Sequence, residues 1–308
     1  VRAPTGDQYH LTLDADGRAV SAVVTEVAAG IRALEVGGTA LVESFPEGSA
    51  PPGAAGIVLV PWPNRVRDGL WHLDGVPQQL DISEPKFGNA SHGLLRFTGY
   101  RLLEQHSARV LQGAAVFPQH GYPFLLATTV EHRLVPDGMV VTHTVTNCSA
   151  DPAPVAVGAH PYLRVGEVPA EELTFVVDAD TRLVTDDQKI PVGQQPVDGT
   201  PFDLRAGRVV GELDIDDGYT GLGVTDGRSR HSLTAPDGRR VELWADSDFG
   251  WVQAFTPTAF AAPEGPRRAV ALEPMTAPAD ALNSGAGLRW LEPDETWTLS
   301  WGIRLAVG

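Results

Sequence analysis

The stretch "LLATTVEHRLVPDGMVVTHTVTNCS", residues 125–149, constrains the chain more than any other. Two runs rich in β-branched residues alternate apolar and polar positions on either side of Pro136-Asp137-Gly138. Period-two alternation lines one face of a strand with apolar side chains. A proline that presets one dihedral, followed by a glycine free to take a positive one, makes the reversal between them. The segment reads as a β-hairpin. "HSLTAPDGRRVELWAD" repeats the device at Pro236-Asp237-Gly238, and "YHLTLDADGRAV" and "RDGLWHLDGVPQQL" set further short strands around Asp-Gly turns. Glycine (33) and proline (25) are spread along the whole chain, so they punctuate many short elements and mark no single linker. Helical periodicity over about twelve residues is nowhere sustained. We therefore expect an all-β protein, a large antiparallel β-sandwich, with residues 1–308 forming one domain.

The formal net charge is -16, and the only lysines are Lys86 and Lys189. Such a balance repels nucleic acid and anionic membrane surfaces, which are bound by clustered Lys and Arg. It favours a neutral small-molecule partner and leaves open whether the chain is a monomer or a homodimer. Cys148 stands alone, which excludes an intrachain disulfide. With no long apolar run and no signal-type start, the expected compartment is the cytoplasm. In that setting the triplets Asn89-Ala-Ser91 and Asn147-Cys-Ser149 are chance matches to a glycosylation pattern.

Several chemistries drop out on motif grounds. The chain has no phosphate-cradling glycine loop followed by Lys-Ser/Thr, no HExxH, no paired CxxC and no GxSxG. The nine histidines form no helical i,i+4 pair, so no metal site is expected, and Cys148 has no basic neighbour in sequence to activate it. Acid–base chemistry by His, Asp, Glu and Arg remains. In "AVALEPMTAPADAL", residues 269–282, a buried-type strand over Ala269 to Leu272 is ended by Glu273 and followed by Pro274. "PVAVGAHPYLRVG", residues 154–166, repeats that grammar at His160-Pro161. A residue before proline is held extended. An ionisable side chain so fixed suits a positioned general acid or base, although a lone histidine is more often a core residue bonded to a backbone carbonyl. Asn64-Arg65 in "PWPNRVRDGLWHLDG", His92 and Arg96 in "GNASHGLLRFTGY", and the aspartates of "DIDDGYTGL" are each weak alone. An Asn-Arg pair is usually a loop anchor, and an Asp run before Gly a solvated turn.

In order, these motifs resemble the aldose 1-epimerase (galactose mutarotase) family: Asn-Arg with a following Asp-Gly, then His-Gly, His-x-Tyr, Asp-x-x-aromatic and Glu-Pro-x-Thr. The likeness runs from about Pro61 to Ile303 and is strongest in "LEPMTAPADALNSGAGLRWLEPDETWTLSWGI". The resemblance implies Glu273 as general base and His160 as general acid. It implies Arg65 and His92 as substrate-positioning residues, with Asn64 beside them, and Asp216 as the carboxylate that holds sugar hydroxyls. Asp217 is the alternative register for that carboxylate. Gln253 in "WVQAFTP" is similar to a sugar-contacting glutamine. Two departures stand out: Leu94 where the family commonly has a second glycine, and "GAHPYL" in place of Asn-His-Ser-Tyr.

Anomer exchange requires a base on the anomeric hydroxyl and an acid on the ring oxygen, and no cofactor. On this reading Glu273 is ionised with raised basicity and His160 is charged. Three rivals remain. A hexose-6-phosphate 1-epimerase would draw on Arg67, Arg96 or Arg164 for the phosphate. A non-catalytic carbohydrate-binding protein would need no acid–base pair. A glycoside hydrolase would pair Glu273 with Asp216 and leave His160 without a role.

Overall fold

In the computed structural model, which describes residues 2–306, the central hairpin forms as its alternation demands. Strands Leu126–Val135 and Gly138–Asn147 pair antiparallel with Val135 opposite Gly138. Leu126, Val130 and Leu134 face inward from one strand, and Met139, Val141 and Val145 from the other. The other three turn signals also lie between paired strands. Ala15 stands opposite Arg18, Leu73 opposite Val76, and Thr234 opposite Arg240.

The two Pro-Asp-Gly glycines serve different ends. Gly238 takes the positive dihedral expected of it, with φ of 88°. Gly138 is not left-handed, against expectation. A Cβ there would fall 1.9 Å from the Ile303 carbonyl oxygen, so the residue is needed for close approach of the neighbouring strand Thr296–Ala306.

Strands make up 53% of the chain. A ten-stranded sheet runs from the edge strand Arg101–His106 through the central hairpin and Thr296–Ala306 to Arg240–Asp246, Arg228–Thr234 and beyond. An eight-stranded sheet runs from Pro191–Pro196 through Ala179–Thr185, Asp216–Leu222, Trp251–Phe255 and Val270–Met275 to Gly158–Ala159 and Val58–Leu59. A four-stranded meander, from Gln8–Ala15 to Thr39–Ala40, packs on the ten-stranded sheet. One apolar cluster draws side chains from all three, including Leu11, Val24, Val130, Trp301, Val252 and Leu272. Each fully buried side chain of this kind stabilises the fold by about 1.5–3 kcal/mol. Among the described residues the only α-helix is Ala281–Ser284, and no helix is long and apolar enough to cross a membrane.

Candidate active site

The site is set by the register of the eight-stranded sheet. Glu273 does not end its strand, as the sequence suggested; the strand continues through Pro274 to Met275. On one side Gln253 stands directly opposite Glu273. On the other, Gly158 opposes Met275 and Tyr162 opposes Ala271, so the same register puts His160 opposite Glu273. One strand further, Gly218 opposes Gln253, and Asp216, two residues along, shares its face. Three strands and the segment joining Gly158–Ala159 to Tyr162–Leu163 therefore bring Asp216, Gln253, Glu273 and His160 to one cleft. Gly218 keeps that row open, because a Cβ there would press to 3.3 Å from Gln253 Oε1. Gln253 Nε2 donates to Asp216 Oδ1 at 2.8 Å. Asp217 points to the opposite face and pairs with Arg182 Nε at 2.7 Å. Asp216, not Asp217, thus lines the cleft.

The ladder beside His160 is broken by chemistry. The Leu272 N–H donates to the Pro161 carbonyl at 3.1 Å and the Thr276 N–H to the Val157 carbonyl at 2.9 Å. The rung between them would come from residue 274, a proline with no N–H to give. His160 occupies the gap between the short strands Gly158–Ala159 and Tyr162–Leu163. Its backbone is held by Ile57, whose carbonyl accepts its N–H at 3.0 Å, and by Gly56, whose N–H reaches its carbonyl at 2.8 Å. Its imidazole stacks on Tyr162, with ring centroids 5.2 Å apart, and meets the edge of His92 at 5.3 Å. Nε2 lies 3.3 Å from Glu273 Oε1.

A second strand pair supplies the opposite wall. Arg65 pairs with Ser91 in a two-rung ladder, and just outside it Asn64 and His92 both adopt left-handed backbone, with φ of 55° and 64°. Such conformations cost non-glycine residues about 1–2 kcal/mol each. The His92 N–H, donated to the Asn64 carbonyl at 2.8 Å, helps to hold both. Gly93 follows at φ 72°, where a Cβ would lie 2.1 Å from the Val60 carbonyl oxygen; this is the physical content of the His-Gly motif. Leu94 packs half-buried against the main core, so a second glycine is not required there.

Arg65 is gripped by Glu84, with Nε at 2.8 Å and an η nitrogen at 3.0 Å on the two carboxylate oxygens. Its other η nitrogen reaches Asn64 Oδ1 at 3.3 Å, and Asn64 Nδ2 donates to Gln253 Oε1 at 3.4 Å. A chain of polar side chains therefore runs from Glu84 to Asp216, which Lys189 Nζ approaches to 3.6 Å. A bidentate Arg–carboxylate pair fixes a guanidinium more firmly than a single bond does.

All seven residues singled out in the sequence, Asn64, Arg65, His92, His160, Asp216, Gln253 and Glu273, line one cleft of about 750 Å³. That volume suits a small molecule. The sequence reading missed Glu84, Lys189 and the wall residue Phe87, which also line it. "DISEPKFGN" shows Glu84 only as an ordinary loop acid, and nothing in the local sequence joins Lys189 to a site. Of the three arginines considered for a phosphate, only Arg96 is at the cleft. Arg67 pairs with Asp186 at 2.6 Å and Arg164 with Glu167 at 3.1 Å, away from the lining.

Burial works against the expected charge states. Burial, then the Asp216 charge, raises the Glu273 carboxyl well above the usual carboxylate range, against the opposing pull of Arg65. Burial lowers His160 to about 4, and it lowers His92 far below the ordinary histidine value, with the neighbouring His160, Arg96 and Arg65 adding to the effect. Both shifts act against the charged forms, so burial opposes the ionised Glu273 and charged His160 expected from sequence. The reason is desolvation: Glu273 is 3% and His160 5% exposed. Glu273 Oε2 and the Nδ1 atoms of His160 and His92 are buried with no protein partner, so they can bond a polyhydroxylated ligand.

Comparison with known proteins agrees with this architecture. The chain is similar to an uncharacterized protein of Escherichia coli K12, YihR, at 29% identity over 92% of this chain and 89% of that protein. Its fold is similar to that of a GalM/aldose epimerase homologue from C. elegans (TM-score 0.83, 16% identity, 97% of this chain and 99% of that one). It is also similar to a galactose 1-epimerase from Lactobacillus acidophilus NCFM (TM-score 0.76, 20% identity, 96% and 94%). The aldose 1-epimerase family model matches residues 9–304, and the chain belongs to that family.

Proposed function

We propose that the protein is an aldose 1-epimerase, interconverting the α and β anomers of a free aldose by ring opening and reclosure. One observation carries this reading: a carboxyl and an imidazole, set opposite each other in a broken ladder, face one sugar-sized cleft at 3.3 Å. The pair shares one proton. With that proton on His160, Glu273 removes the anomeric hydroxyl proton while His160 protonates the ring oxygen. The ring C–O bond then opens to the aldehyde. Rotation about the bond between the first two carbons and reclosure through the reverse transfers give the other anomer. Ring opening leaves the proton on Glu273, the form that burial favours in the free protein, and reclosure returns it, so the site is regenerated without external acid or base. Arg65, fixed by Glu84, donates to the developing oxyanion. His92 and Asn64 set the ring's position, and Gln253 with Asp216 takes its hydroxyls.

The phosphate-ester reading loses two of its three arginines, since Arg67 and Arg164 are engaged elsewhere. A binding protein would gain nothing from burying an acid–base pair at this cost. Polarimetry on a freshly dissolved α-aldose tests the proposal. We expect acceleration that falls about 10²–10⁴-fold in Glu273→Gln and in His160→Asn, with the fold retained. Unimpaired turnover by His160→Asn would remove the acid assignment, and release of sugar from a glycoside would replace the epimerase with a hydrolase.

A further inference from the structure

The turn between the strands Ala179–Thr185 and Pro191–Pro196, the outermost pair at one edge of the eight-stranded sheet, reaches the cleft through Lys189. Asp186 closes this turn. Its N–H donates to the Ile190 carbonyl at 3.0 Å, and its carbonyl accepts the Lys189 N–H at 2.9 Å. Its Oδ1 accepts the N–H groups of Gln188 and Ile190 at 3.0 and 3.1 Å. Side chains from elsewhere then pin the turn in place. Arg67 donates to Asp186 Oδ2 at 2.6 Å and to Gln188 Oε1 at 2.7 Å, and Asn89 Nδ2 donates to the Gln188 carbonyl at 2.8 Å. Gln188 Nε2 donates in turn to Asp68 Oδ1 at 2.9 Å. The residue carried by this frame is Lys189, at φ 61°, a left-handed conformation that side-chain-bearing residues rarely adopt. A lysine held in strained backbone by so braced a turn points to a use for its ammonium.

That ammonium is not satisfied within the protein. It approaches Asp216, with Nζ 3.6 Å from Oδ2, beyond hydrogen-bond reach, and among the described residues Nζ makes no hydrogen bond. Asp216 Oδ1 is taken by Gln253, whereas Oδ2 accepts no hydrogen bond among the described residues. Both side chains are half-buried and line the cleft. A hydroxyl set between them can donate to Oδ2 and accept from Nζ, completing both. Two strand spacings, about 10 Å, separate the strand of Asp216 from that of Glu273. The gap between Lys189 and Asp216 therefore lies at the end of the cleft remote from the acid–base pair.

We infer that Lys189 is a specificity-determining residue: with Asp216 it reads one hydroxyl across the pyranose ring from the anomeric carbon, at C3 or C4, and selects aldoses that present it. This rests on the aldose reading above. With the anomeric carbon at Glu273 and His160, the ring atoms nearest Asp216 are those opposite it. The ammonium supplies the selectivity. A carboxylate alone accepts a proton from any hydroxyl within reach. A donor fixed beside it demands an oxygen that gives a hydrogen bond and receives one at the same point. A sugar with only hydrogen at that carbon leaves both charged groups without the partner that replaces their water, and an inverted hydroxyl points out of the gap.

The test uses the full chain and whichever of glucose and galactose binds better, with the 2-, 3- and 4-deoxy analogues of that sugar. Calorimetry gives binding, and exchange spectroscopy between anomeric protons gives turnover. We expect loss of the 3- or the 4-hydroxyl, one and not both, to lower affinity and kcat/KM about ten- to hundred-fold. Lys189→Met should shrink that one ratio about ten-fold while the ratios for the other positions hold, and Lys189→Arg should restore part of it. Lys189→Asn, a residue that tolerates left-handed backbone, should lose the same selectivity with a melting temperature no lower than that of the wild type. That result separates recognition from support of the turn. Losses spread evenly over all the sugars in Lys189→Met, or a wild-type protein indifferent to the 3- and 4-hydroxyls, overturn the inference. Selectivity that survives in both Lys189→Met and Lys189→Asn does the same. Position-selective binding without anomer exchange, abolished in Lys189→Met, would sustain the inference and sink the epimerase reading. Exchange with no such selectivity would do the reverse, and binding of neither parent sugar would overturn both.

Discussion

The two large sheets bury histidines in opposite ways. In the ten-stranded sheet, His132 and His143 point inward from the central hairpin and His231 from the strand Arg228–Thr234. Burial drives the first two down to about 3 and the third to about 4. His143 accepts the Trp301 indole N–H at 2.9 Å, and His231 accepts the Asp178 backbone N–H at 3.1 Å. In the eight-stranded sheet His160 is also buried and shifted as far as His231, yet it faces a carboxyl and borders a cleft. A depressed pKa therefore separates nothing on its own. What sets His160 apart is a second titratable group within 3.3 Å and a cleft that both of them line.

The widest separation between the two regions is expected from Glu273→Gln. It removes the turnover described above but should not lower stability. The sign follows from linkage: a carboxyl raised on folding contributes stability below its unfolded value and loses it as pH rises through its folded value. Thermal melts should thus show the variant's advantage growing toward alkaline pH; a melt lowered at every pH would assign Glu273 a structural role. Next in size, His143→Ala should cost about 3 kcal/mol by chemical denaturation, since it leaves a cavity and an indole N–H without an acceptor. Turnover per folded molecule should hold, and a loss of turnover would erase the distinction between the sheets.

Acid stability sharpens the comparison further. His132, His143 and His231 each bind a proton in the unfolded chain near pH 6.5 and in the folded chain only at about 3 to 4. Stability should fall as pH drops from about 6.5 to 4, each histidine contributing about 1.4 kcal/mol per pH unit. Denaturant titrations across that range should show a slope that decreases by one such increment in His132→Leu. The smallest effect concerns Glu84→Gln, which loosens the Arg65 fork without removing the guanidinium. kcat should fall several-fold while KM changes little, consistent with loss of about 1 kcal/mol of transition-state positioning.

Much of this was legible in the sequence. Four hairpins were marked by turn residues between alternating runs, because period and turn chemistry are local properties. The pair at His160 and Glu273 was marked by the same device twice, an ionisable residue ahead of a proline. Its spatial meaning came from register: the strand carrying Glu273 runs opposite His160, and Pro274 removes the rung beside them. What stayed hidden was non-local. Glu84 reaches Arg65 from a separate loop, and Lys189 reaches Asp216 from another, with no periodicity to announce either. The direction in which burial pushes the two groups was hidden too, because desolvation depends on what covers a side chain, which no run of neighbours records. Gly138 was assigned to the turn for its dihedral freedom, when the adjoining strand's carbonyl was the constraint.

The loop that grips Arg65 also forms the lip of the cleft. Glu84 and Asn89 bridge to close it into a short arch, and Lys86 and Phe87 ride on its crown. Proton traffic and admission are thereby written on different pieces of polypeptide, one woven into a sheet and one strapped across its mouth. Exchanging the arch as a cassette, with Glu84 kept as its anchor, would retune which molecules enter while the machinery beneath stays untouched.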